Sequence, residues 1–145
     1  MTIELTYDRL GTRLKRIGDV EIVYDMAGSR PKRLGDLDLE YDMMGSRLRH
    51  IGHQDIEYDL AGSRPNKVGV LDLEYDMIGS RLRTVGDVAI EYNMAGSRVA
   101  RIGNVTVGYD AVGTRPRHLT PDEGTQMSDD LLNLVFLVLV AFKPG

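Results

Sequence analysis

The sequence predicts an all-β protein. It reads as tandem 17-residue β-hairpin repeats forming an antiparallel meander, an open or spiralling sheet, with a short apolar C-terminal helix. Three observations predict it. Tyrosine falls at 7, 24, 41, 58, 75, 92 and 109, a constant step that accounts for every tyrosine present. Glycine at 11, 28, 45, 62, 79, 96 and 113, and arginine at 13, 30, 47, 64, 81, 98 and 115, keep the same phase. Each unit also holds two strand patterns and two turn signals, and no insertion breaks the register.

The first strand of a unit alternates, as in Val20, Ile22 and Tyr24 against Glu21, Val23 and Asp25. Period-two alternation marks a half-buried strand. The first turn is Asp-x-x-Gly, as in Asp25-Met26-Ala27-Gly28. Its Asp can bond the backbone ahead, and its Gly can supply the positive φ of a bulge. The second turn is Gly-Asp or Gly-Asn between apolar residues, as in Ile17-Gly18-Asp19-Val20. Two residues with Gly first fit a type II′ hairpin turn.

These turns set expected registers. A three-residue first loop pairs Tyr7 with Arg13, Leu5 with Lys15 and Ile3 with Ile17. A two-residue second loop pairs Ile17 with Val20, Lys15 with Ile22 and Arg13 with Tyr24. Both put Ile/Leu/Val, Tyr and the Arg stems on one face, in rows that alternate Tyr and Arg. Arg stems can pack on tyrosine rings and add cation–π attraction of roughly 0.5–1 kcal/mol each when exposed. The other face is charged, with cross-strand pairs such as Arg33 with Asp38 and Lys67 with Asp72. A parallel solenoid would instead stack the arginines about 4.8 Å apart, an unfavourable ladder of like charges. The repeat-structural residues are thus Tyr24, Gly28, Arg30, Tyr41, Gly45, Arg47, Tyr58, Gly62, Arg64, Tyr75, Gly79 and Arg81.

With no shear accumulating between hairpins, the sheet is expected to stay open unless bulges supply stagger. An open single layer leaves an apolar face that something must cover. A double period is superposed: Leu10, Ala27, Met44, Ala61, Ile78, Ala95 and Val112 alternate large and small. The loop tips Met26, Met43, Leu60, Met77 and Met94 form an apolar row suited to adaptable contacts.

The repeats occupy residues 1–119, and 120–145 form a linker and apolar tail. Thr120-Pro121-Asp122-Glu123 is a capping-box pattern that Gly124 interrupts. Ser128-Asp129-Asp130 is a second helix start, with acids favoured by the helix dipole. Leu131 to Phe142 is apolar except for Asn133. Twelve residues are too few to span a bilayer, which needs about 20. The run is apolar all round, so it is expected to be buried against the sheet or a partner. Leu131, Leu134, Phe136, Leu137 and Phe142, with the methionine row, are the candidate interaction residues. Membrane contact through 131–142 is the alternative use.

Composition narrows the function classes. A net charge of −4, from 18 basic and 22 acidic residues, gives no footprint for nucleic acid. There is no cysteine, so thiolate metal sites and disulfides are excluded. No secretory signal is visible, so the cytoplasm is the expected compartment unless a non-classical route exports the chain. His50 and His53 form a His-x-x-His at solvated turn positions, and a metal site would need further ligands. The aspartate column (Asp8, Asp25, Asp42, Asp59, Asp76, Asp110, with Asn93) reads as turn capping, since no loop offers six oxygens for calcium. Glu40, Glu57, Glu74 and Glu91 recur as a solvated face, whereas a catalytic pair is singular. No nucleophile elbow, P-loop or dinucleotide fingerprint is present. The expectations are no catalytic or metal residues, no cofactor and no small-molecule substrate.

Tyr41-Asp42-Met43-Met44-Gly45-Ser46-Arg47 and Tyr75-Asp76-Met77-Ile78-Gly79-Ser80-Arg81 carry a further signal. At Tyr-Asp-x-x-Gly-x-Arg the unit resembles the YD repeat of the Rhs and teneurin-like proteins, over residues 3–119. The resemblance implies a spiralling hairpin sheet. In that family such sheets wind into shells around toxin cargo, and some members serve adhesion. Seven units of shorter period do not imply encapsulation. The leading expectation is a non-catalytic structural or interaction scaffold with a protein partner, itself or another, and self-assembly. Alternatives are a membrane-associating, effector-like or toxin-associated protein using the tail, and a carbohydrate-binding module on the Tyr/Arg face.

Overall fold

The computed structural model describes residues 2–9, 13–25, 30–42, 47–59, 64–76, 81–93, 98–110 and 115–142. The loop positions Met26, Met43, Leu60, Met77 and Met94, and Gly28, Gly45, Gly62 and Gly79, lie outside these segments.

Each repeat gives a hairpin of one five-residue and one four-residue strand, and the last strand is longer. The strands are β1 (Ile3–Tyr7), β2 (Leu14–Ile17), β3 (Val20–Tyr24), β4 (Pro31–Leu34), β5 (Leu37–Tyr41), β6 (Leu48–Ile51) and β7 (Gln54–Tyr58). They continue with β8 (Pro65–Val68), β9 (Leu71–Tyr75), β10 (Leu82–Val85), β11 (Val88–Tyr92), β12 (Val99–Ile102), β13 (Val105–Tyr109) and β14 (Pro116–Pro121). Helix α1 (Asp129–Phe136) and a π-helical turn (Leu137–Ala141) follow.

The second turn is as the sequence predicts. Ile17 faces Val20, Leu34 faces Leu37 and Ile51 faces Gln54. Gly18, Gly35, Gly52, Gly69, Gly86 and Gly103 have φ between 57° and 59°. No other residue type has positive φ among the described residues. A positive φ at the first turn position alone is type II′; type I′ would need both.

The first turn corrects the expected register. The Asp8 N–H donates to the Arg13 carbonyl at 2.9 Å, and Asp42 to Arg47 likewise. Tyr7 therefore faces Leu14, not Arg13, while Thr6 faces Arg16 and Leu5 faces Ile17. The extra residue, Lys15, is a bulge on the return strand. The same step recurs in β5/β6, β7/β8, β9/β10, β11/β12 and β13/β14. Side chains alternate faces along a strand, and a bulge resets the alternation. Leu14 and Ile17 are thus both buried, as are Leu48 and Ile51. Lys15 and Arg49, expected on the apolar face, point to solvent.

The meander of hairpins holds, but its strand order closes: β1-β14-β13 and so on to β2, which pairs β1 again. Ile3 faces Leu119 and Glu4 faces His118 across that joint. The recurring bulges supply the stagger that closure requires.

The chain divides into two compact units, residues 1–22 with 89–145, and residues 23–88. In the second unit the buried residues include Leu34, Leu39, Leu48, Ile51, Ile56, Val68 and Val85. In the first, Leu5, Ile17, Ile102, Val105 and Leu119 are buried, with Leu134, Val135, Phe136, Leu137 and Val138 of the tail. A helix advances about 100° per residue, so five consecutive buried residues cover its whole circumference. The tail is therefore enclosed on every side. Its start is the second of the two predicted signals: Ser128 is the N-cap, and its hydroxyl accepts from Leu131 N–H at 3.1 Å. The first signal instead completes β14, where Thr120 faces Thr106 and Pro121 faces Val105.

Candidate functional site

The residues with chemical potential, Tyr, Arg and Asp, form one recurring lattice between neighbouring hairpins. It starts at the first turn. Closing Asp onto Arg through the backbone brings the carboxylate of the same Asp to the guanidinium. Arg13 Nε lies 2.9 Å from Asp8, Arg47 2.8 Å from Asp42, Arg81 2.8 Å from Asp76 and Arg115 3.0 Å from Asp110. Arg30–Asp25 and Arg64–Asp59 are looser, at 3.2 and 3.4 Å.

Held this way, the guanidinium lies over the tyrosine of the following repeat. Arg30 sits 4.4 Å from the Tyr41 ring centre, Arg47 4.8 Å from Tyr58, Arg64 4.3 Å from Tyr75 and Arg98 4.5 Å from Tyr109. The tyrosine hydroxyl reaches back to a carbonyl of the preceding hairpin. Tyr41 donates to Pro31 and Tyr75 to Pro65, each at 2.6 Å; Tyr58 donates to Leu48 at 2.8 Å and Tyr109 to Val99 at 2.7 Å. At the closing joint Tyr7 donates to Pro116 at 2.6 Å, and Arg115 covers its ring at 4.4 Å. Removing the half-buried ring from water pushes the Tyr7 and Tyr41 hydroxyls up to about 12, against a partial opposing pull from Arg115 and Arg30. Tyr58 and Tyr109 are raised for the same reason.

The sequence reading located the Tyr–Arg stacking but missed the Asp grip. Its signal was present: Asp and Arg recur five residues apart in six of the units. Tyr24 is also engaged in an interaction. On the charged face the predicted pairs form, Arg33–Asp38 and Lys67–Asp72 at 3.6 Å, joined by His50–Asp55 at 2.7 Å. Arg101 instead forks onto Asp122 at 2.8 and 3.4 Å, holding Asp122 below the usual carboxylate range through that bond. Asp122 N–H donates to Asn104, so the chain leaving β14 is fixed to its neighbour.

The tail residues divide by burial. Leu134, Phe136 and Leu137 are buried, while Leu131 and Phe142 are partly exposed. A polar cleft of about 420 Å³ opens at the closing joint, lined by Glu4, Tyr7, Asp8, Arg9, Arg115, Arg117 and His118 among others. Among the described residues no three His, Asp or Glu side chains converge as a metal site would need. Phe142 N–H donates to Leu137 at 2.8 Å, closing the π turn.

No protein-family model, curated protein or solved structure matches this chain.

Proposed function

We propose that this protein is a non-catalytic interaction scaffold that associates with further copies of itself, a short-period relative of YD-repeat hairpin arrays. The observation that carries this reading is the recurrence of one bonding set. Asp holds Arg, Arg covers Tyr, and Tyr bonds the previous hairpin, at Asp25–Arg30–Tyr41, Asp42–Arg47–Tyr58 and Asp59–Arg64–Tyr75 alike. An active site differentiates one copy of a residue from the rest; here the copies share one structural task. Carbohydrate binding is less well supported, because a sugar stacks on a free tyrosine face and the guanidinium already occupies one. Membrane insertion through the tail requires five enclosed residues, Leu134 to Val138, to leave the fold.

Light scattering of the full chain over a wide concentration range tests the proposal. The expected result is a mass that rises with concentration while the far-ultraviolet spectrum stays constant. A folded chain of fixed monomer mass at every concentration overturns the self-association.

A further inference from the structure

The closing joint is built like the other joints of the array, except that nothing covalent crosses it. In an internal joint the last residue of one hairpin faces the first of the next, and in four of them the residues before and after pair basic with acidic; at a fifth Arg101 stands opposite Thr106, so the acid is absent there. Ile17 faces Val20 with Arg16 opposite Glu21; Leu34 faces Leu37 with Arg33 opposite Asp38; Val68 faces Leu71 with Lys67 opposite Asp72. At the closing joint Leu119 faces Ile3, and His118 stands opposite Glu4. The rule of a basic residue opposite an acidic one is kept there. The Tyr7–Pro116 bond and the Arg115–Tyr7 contact match their internal counterparts at Tyr41–Pro31 and Arg30–Tyr41. What is missing is the Gly turn: β1 and β14 are not consecutive in the chain, which leaves β14 through Asp122.

We propose that this joint is an exchangeable interface, in which β14 of one copy pairs with β1 of a second copy of this chain. The contacts made between copies are those made within one copy, so exchange sacrifices no pairing. Two surfaces that complement each other but not themselves form a head-to-tail interface, which generates closed rings or open chains of copies. Which form prevails is then set by concentration. Tethered strands meet at an effective concentration of roughly millimolar, so closure within one chain wins in dilute solution. The proposal names the surface for the self-association inferred above and rests on that reading.

Because the chain has no cysteine, one introduced pair reports the joint's connectivity. Glu4→Cys with His118→Cys places two thiols on facing, solvent-exposed positions. The control, Arg33→Cys with Asp38→Cys, sits at an internal joint. Each variant is folded at a series of concentrations, oxidised in air and run on a denaturing gel without reductant. The control is expected to link within one chain at every concentration. The joint pair is expected to link within one chain when dilute, and to give covalent dimers and larger species whose ratio to monomer rises roughly tenfold per tenfold concentration. Linkage within one chain at every concentration overturns the proposal. If the full chain nonetheless gains mass in light scattering, self-association survives and uses another surface. Failure of the joint pair to link at all, with the control linking, also overturns it.

Discussion

The hairpin array and the C-terminal tail bury apolar surface by opposite rules. In the array each strand hides one face, so Leu39 is buried while its neighbours Asp38 and Glu40 are exposed. The hidden face is shared with polar side chains, and tyrosine and arginine are only half withdrawn from water. In the tail Leu134 to Val138 are buried without a break, and nothing polar accompanies them. The array is therefore held by many small, repeated contributions, each replaceable by its copies. The tail concentrates a large apolar contribution in one turn and a half of helix. Damage to one repeat should be tolerated, whereas damage to the tail should be global for the unit that contains it.

The largest effect expected from one substitution is at Phe136, which has no exposed surface. Phe136→Ala should lower unfolding free energy by about 3–5 kcal/mol in urea titration, through lost burial and the cavity left behind. A loss of under about 1 kcal/mol would place Phe136 on the same footing as a surface residue and break the comparison.

Next is the turn glycine. A Cβ on Gly52 would lie 2.8 Å from Leu37 Cδ2, and the backbone there has φ +59°. Gly52→Ala should cost about 1–3 kcal/mol, mostly through the disfavoured backbone conformation. An equal cost at a glycine with ordinary φ, Gly108, would show that the turn is not the cause.

Tyr58→Phe removes one hydroxyl bond to the Leu48 carbonyl and keeps the ring under Arg47. It should cost about 0.5–1.5 kcal/mol, and Tyr41→Phe and Tyr75→Phe should cost the same within error. Strongly unequal costs, with one repeat far more sensitive, would mark that repeat as specialised and weaken the scaffold reading.

The array alone should respond to alkali, because the tail contains no tyrosine. The folded state keeps the Tyr7 and Tyr41 protons to about pH 12, whereas an unfolded tyrosine loses its proton near 10. Between those values the unfolded chain binds fewer protons than the folded one, so stability falls as pH rises through the window. Below pH 10 these residues should add no slope. Thermal unfolding from pH 9 to 12 checks the sign, and the tyrosinate absorbance that Tyr7 and Tyr41 contribute to the folded protein should appear only toward the upper end.

Much of this was legible because repetition multiplies weak signals. One Gly-Asp between Ile17 and Val20 suggests a turn; six glycines in phase at that position establish it, down to the turn type. The first turn was misjudged by one residue, since Asp-x-x-Gly fits loops of different length and the Asp–Arg grip that decides between them is a side-chain contact. That single residue moved Leu14 to the buried face and Lys15 to solvent. Closure was out of reach for the same reason, as the bulges that stagger the strands follow from that turn. The tail's helix was readable from Ser128 and the acids after it, but its full enclosure depends on what surrounds it.

The most direct test of the comparison is the mass in solution, by light scattering, of the full chain beside a chain ending at Thr120, both at micromolar concentration. The full chain is expected to stay a folded, soluble monomer when dilute. The shortened chain, with its apolar residues uncovered, should aggregate or lose its β spectrum. A shortened chain that remains monomeric, soluble and as stable as the full chain would contradict the claim that the tail is part of the core.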